Sequence, residues 1–193
     1  MEDLYRLCYE DIQLKPTAIL LGLVLVSLHL AAWFQRDAVR AFLPKFPRHR
    51  EIGIGLLLAG TAWSYWLVCY MDLGEFYAVE KFVKFALPLS FALLVYHAPE
   101  FLAVRAAGIL LMLLAGPVLQ AAFLEEPFTR LLLPIIAYVW IIVGMFWVGM
   151  PYLMRDWIDW ILAKDHPKRW SYACGIGAGY GLLMILCAAT WQV

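Results

Sequence analysis

The chain has 193 residues, 64% of them hydrophobic and only 16% charged, with zero net charge and a mean hydropathy of +0.76. Soluble domains are about half apolar and about a quarter charged, so an ordinary soluble domain is excluded, and a neutral chain gives no footing for nucleic acid. The apolar residues fall in several separate runs, without the short alternation of barrel strands. This predicts an all-α integral membrane protein, a bundle of about six transmembrane helices with amphipathic interfacial elbows, forming a single domain over 1–193.

Residues 1–16 are polar and acidic, with Leu4, Leu7 and Cys8 at helical spacing, and predict a short interfacial helix. They lack the basic start of a signal peptide, so the first span, 17–34, is expected to be retained. Residues 35–51 carry Arg36, Arg40, Lys45, Arg48 and Arg50, five of the 15 Lys and Arg in the chain. The second span, 52–71, ends in an aromatic cluster of Trp63, Tyr65, Trp66 and Tyr70, as an interfacial belt requires. Residues 72–84 place Phe76, Val79, Phe82 and Val83 on one helical face. They form either an interfacial helix or the first turns of the third span, 84–97.

The fourth span, 101–123, holds Arg105 one turn in and a Gly116-Pro117 pair in its last third. The fifth, 130–150, contains Pro134. With Pro88, these prolines are expected to kink the three middle spans and open a cavity between them. An amphipathic stretch follows, with Leu153, Trp157, Trp160 and Ile161 on one face. The sixth span, 171–191, opens with two overlapping GxxxG patterns, Gly175/Gly179 and Gly177/Gly181, which suit close helix packing.

Alternating the loops puts ten Lys and Arg on one side and five on the other. The positive-inside rule then makes the richer side cytoplasmic and places both termini outside. The compact loops suggest a bacterial inner membrane. An internal echo joins the two basic elbows: RDAVRAFLPKFPRHR after span 1 and RDWIDWILAKDHPKRW after span 5 are each followed by a GIG tripeptide. It is read either as an old duplication of a helical hairpin or as two solutions to one interfacial problem.

Candidate chemistry is sparse. Cys8, Cys69, Cys174 and Cys187 form no CxxC pair, and no serine stands in a GxSxG context. His29 and His97 belong to different spans, both toward the basic side. Together they are candidates for axial ligation of a b-type haem, with Arg105 near its propionates. Otherwise His29 bonds a neighbouring helix, His97 is interfacial, and Arg105 snorkels to the headgroups.

Glu125, Glu126 and Arg130 spell EExxxR. This resembles the first motif of the CAAX-protease and bacteriocin-processing family of intramembrane metalloproteases. The resemblance covers six residues and implies a metal-dependent protease in which Glu126 activates a water. The FxxxH motif of that family is missing, and the later histidine, His166, lies in a loop.

These features favour a non-catalytic role, first as a structural or accessory subunit of a larger membrane complex or a self-associating protein. Its contacts would be anionic headgroups at Arg36, Arg40, Arg48, Arg50, Lys168 and Arg169, and partner surfaces at Trp157, Trp160, Gly175 and Gly179. A small-solute or lipid carrier built on a polar cavity between spans 3, 4 and 5 is the alternative. A haem protein or a CAAX-protease-like enzyme is the third.

Overall fold

In the computed structural model, which describes residues 2–163, 165, 166 and 168–191, the apolar runs form α-helices, and no strand occurs among the described residues. Five helices are long and apolar enough to cross a membrane. They are α2 (Leu14–Phe34), α4 (Arg50–Tyr70), α6 (Leu102–Ala121), α7 (Leu132–Gly149, entered through a 3-10 turn at Phe128–Leu131) and α9 (Lys168–Thr190). Such helices satisfy their backbone groups internally, which is what a hydrocarbon environment demands.

The other helices are shorter or more polar. α1 (Glu2–Tyr5) continues as a π-helical turn at Arg6–Glu10, while α3 (Arg36–Phe42) and α8 (Tyr152–Leu162) lie in the basic stretches. α5 (Glu80–His97) carries Glu80, Lys81 and Lys84 in its first turns, with Glu80 and Lys84 paired, and so falls outside the apolar set. Residues 74–79 form a 3-10 turn rather than part of an amphipathic helix.

The end carrying α1 and the start of α2 is called the top, and the end carrying α3 and α8 the bottom. α6 is the central helix, burying Leu102, Ala103, Val104, Ala106, Gly108, Ala115, Val118 and Ala121. Its run of small residues lets α4 and α7 approach on two sides. Gly53 of α4 abuts Ala103, and Gly60 abuts Ile109, so α4 and α6 run parallel. α5 runs back along α4: Lys84 lies beside Cys69, while Leu94 and Val95 pack with Leu57, Leu102 and Ala106.

Two antiparallel pairs close on glycines. A β-carbon on Gly22 of α2 would stand 2.7 Å from the Gly181 carbonyl oxygen of α9, and the reverse distance is also 2.7 Å. Gly108 of α6 and Gly144 of α7 repeat the arrangement at 2.7 Å in both directions. The pairs meet at the top in one cluster that includes Leu14, Ala18, Val118, Leu133, Ala137, Met184 and Ala188. Lys15 Nζ donates to the Trp191 carbonyl at 2.8 Å and Trp191 Nε1 to Thr129 Oγ1 at 2.6 Å, which ties α2, α7 and α9 together there.

Pro88 and Pro117 lie inside α5 and α6 as expected, but Pro134 is the third residue of α7. In a first turn its missing N–H breaks no helical hydrogen bond, so it opens no carbonyl for a cavity.

Candidate functional site

An apolar groove of about 1270 Å³ lies at the top of the bundle. It does not lie between spans 3, 4 and 5, where proline kinks were expected to open one. Its walls are Leu20, Val24 and Leu28 of α2, Leu111, Leu114 and Val118 of α6, with Trp63 and Trp66 of α4 and Trp140 of α7. Pro16, Leu20, Val24 and Leu28 recur every four residues and so line one face of α2. Between Pro16 and Leu28 the groove descends about 18 Å at ~1.5 Å per residue.

The N-terminal segment forms the roof through Leu4, Leu7, Cys8 and Ile12. Aromatic contacts fasten it. Tyr9 stacks on Tyr5 at 5.4 Å, and its hydroxyl accepts a hydrogen bond from Trp63 Nε1 at 2.8 Å. Tyr5 and Tyr9 both lean on Trp66, at 6.0 and 6.1 Å between ring centroids. Burial pushes both phenols above their ordinary range; Glu10 and Asp72 add to the effect at Tyr5, while the Trp63 bond opposes it at Tyr9. Both therefore stay neutral at physiological pH, and an uncharged hydroxyl suits an aromatic seam.

Polar side chains gather at the mouth, where Asp11, Gln13 and Thr17 line the groove. Thr17 is already engaged, donating to the Gln13 carbonyl at 2.7 Å. Below the mouth the wall is hydrocarbon and indole. Such a groove accepts an apolar chain and supplies no acid–base pair in its depth.

The histidines do not meet. His29 Nδ1 lies 2.7 Å from the Leu25 carbonyl and donates to it, and the opposite edge of its ring rests on Gly177 of α9. A β-carbon at Gly177 would stand 2.0 Å from Nε2, the nitrogen left for a metal, so that nitrogen is covered by the α9 backbone. His97 is exposed at the end of α5, edge-on to Tyr96 at 5.0 Å. His29 thus bonds within its own helix and only packs on α9, where a bond to a neighbouring helix was expected, and His97 stands at a helix end. Arg105 does not reach free to a headgroup: Nη1 donates to the Val148 carbonyl at 3.1 Å. Val148 lies in the last turn of α7, where carbonyls lack helical partners and the helix dipole favours a cation.

Glu125, Glu126 and Arg130 sit in the top turn between α6 and α7, with Glu126 exposed. Among the described residues, no three His, Cys, Asp or Glu side chains gather in a metal-binding group. The glycine patterns of α9 divide. Gly177 and Gly181 face α2, whereas a β-carbon on Gly175 or Gly179 would meet nothing within 4 Å.

The bottom face holds the basic residues. Arg48, Arg50 and Lys168 are exposed and Arg36 is half-buried. Trp157 and Trp160 stand out from α8, and Arg169 lies 4.4 Å over the Trp160 ring while Nη1 donates to the Trp160 carbonyl at 3.1 Å. Arg40, from the other elbow, lies 5.5 Å over the ring of Trp170, so α3 meets the start of α9.

The groove and its aromatic latch escape sequence reasoning because their parts lie far apart in the chain. The local signal was Tyr5 and Tyr9, one helical turn apart on the acidic segment. Comparison with protein families, curated proteins and solved structures found no match.

Proposed function

We propose that this chain is a six-span integral membrane protein that holds the hydrocarbon tail of a lipid-like amphiphile in the groove beneath its N-terminal segment. The observation that carries the proposal is the groove itself: about 1270 Å³, apolar along its depth and polar only at its mouth. Pockets for drug-sized ligands measure about 300–1,000 Å³, so this one has room for a long flexible tail.

The direction of the helices supports counting α5 as a sixth span. α4 and α6 lie parallel, so the chain leaving α4 at the top must return to the bottom before α6 begins. α5 makes that return alongside α4, and its charged first turns sit at the top edge. In this reading the basic elbows face the cytoplasm and the termini lie outside, as the positive-inside rule favours, and the membrane is a bacterial inner membrane. The role is non-catalytic binding or carriage of lipid.

A mild-detergent preparation analysed by native mass spectrometry tests this. Wild-type protein should carry lipid-sized adducts, and Val24→Trp with Leu114→Trp, which fill the groove, should lose them while melting normally. Adducts unchanged by the filled groove would sink the proposal.

A second reading is favoured by the open Gly175/Gly179 face of α9, where a partner helix would find backbone within reach. In that reading the protein is an accessory subunit of a membrane complex or self-associates. Native mass spectrometry of the same preparation separates the two readings by stoichiometry.

A further inference from the structure

We propose that Arg40 and Trp170, at the junction of the two basic elbows, form a binding site for a phosphate group. The Arg40 guanidinium is held 5.5 Å over the Trp170 ring, and Trp170 is only 5% exposed. Arg40 Nε and Trp170 Nε1 are both removed from solvent, and neither has an acceptor among the described residues. Arg105 Nε and Trp66 Nε1 are likewise covered without an acceptor, but Arg105 anchors its charge on the Val148 carbonyl through Nη1, and Arg169, Arg155 and Arg6 bond Trp160, Asp156 and Glu2. Asp37, three residues before Arg40 on α3, is not within ion-pair distance of it; the ion pairs among the described residues involve Arg6, Lys84 and Arg155.

Covered donors need acceptors, because a buried N–H without one forfeits its hydration for nothing. Here are a cation and an indole N–H, and among the described residues no carboxylate lies within ion-pair distance of the cation. A guanidinium forks onto two oxygens of one phosphate, and the ring beneath it restricts the fork's orientation. After α3, the 3-10 turn Phe46–Arg48, with Pro47 buried in it, packs on α6 and so anchors the first elbow. Arg36, Lys45, Arg48 and Arg50 lie on the same elbow and favour an anion over a neutral head. The ligand chemistry is a phosphate mono- or diester carrying net negative charge, from a lipid headgroup or from free phosphate. The site lies at the opposite end of the bundle from the groove, and its occupancy does not depend on the groove's.

The experiment is a titration of delipidated protein in detergent, followed by tryptophan fluorescence. The probes are a short-chain phosphatidylglycerol, the phosphatidylcholine of equal chain length, and inorganic phosphate. Phosphatidylglycerol should bind more tightly than phosphatidylcholine, with Arg40→Gln weakening it roughly tenfold, the worth of one charge-assisted hydrogen bond. Trp170→Phe keeps the ring and loses the N–H, and should weaken it by a smaller factor; Arg40→Lys keeps the charge and loses the fork, and should fall between. Competition by inorganic phosphate assigns the site to free phosphate, and its failure to compete assigns it to the lipid. Equal binding of the two lipids, or wild-type affinity in both Arg40→Gln and Trp170→Phe, would overturn the proposal. If Arg40→Gln does not fold, Arg40→Lys and Trp170→Phe decide.

Discussion

Gly22 and Gly181 face each other so closely that a β-carbon on either would stand 2.7 Å from the other's carbonyl oxygen. The obstacle on each side is backbone, which cannot turn aside as a side chain can. Gly181→Ala should therefore cost about 1–3 kcal/mol, the usual penalty of overpacking. Gly175→Ala and Gly179→Ala, on the open face of the same helix, should change stability by no more than about 0.5 kcal/mol. Thermal unfolding of the three variants in one detergent makes the comparison; three equal melting temperatures would show that α9 does not pack as described.

His29 and Gly177 form a socket whose two halves can be exchanged. Gly177→Ala drives a methyl into the imidazole, which its bond to the Leu25 carbonyl holds in place. In a His29→Ala background the same substitution meets empty space. The double-mutant cycle should return a coupling of about 1–3 kcal/mol. A coupling near zero would mean that the ring lies elsewhere.

Alkali should release the roof of the groove. Tyr5 and Tyr9 have their pKa values raised above the ordinary 10.0, chiefly by burial. The attached segment thus binds more protons than the detached one once pH passes the ordinary value, and its attachment weakens as pH rises further. Below that value the contribution is fully present. A spin label at Asp3 should keep its mobility from about pH 8 to about pH 10 and gain mobility as the pH rises further. Tyr9→Phe, which strands the Trp63 N–H, should loosen the segment at neutral pH by about 1 kcal/mol. Mobility that stays flat to the alkaline end would contradict the latch.

The long helices were legible because apolar length alone specifies them, and α2, α4, α6, α7 and α9 begin and end within a few residues of their expected limits. Relations between helices were not legible. GxxxG patterns occupied two faces of α9, and only the position of α2 selected Gly177 and Gly181. Arg105 read as a snorkelling cation because nothing local reveals that the last turn of α7 would present Val148 to it. The acidic start of the chain looked like an independent interfacial helix. Its binding to Trp63 and Trp66 depends on residues more than fifty positions away, and so the groove was missed.

The Gly22–Gly181 contact joins two helices separated by most of the chain. At ~5–20 residues per second, a ribosome finishes α2 many seconds before α9 exists. For a chain inserted as proposed, α2 waits through that interval with its glycine backbone facing lipid. Its mean hydropathy of 2.1 over the best window lets it remain in the bilayer alone, yet its companion surface stays open to any other helix. The order of synthesis thus makes α2 the part of this protein most exposed to a wrong partner, and the arrival of α9 the event that ends the risk.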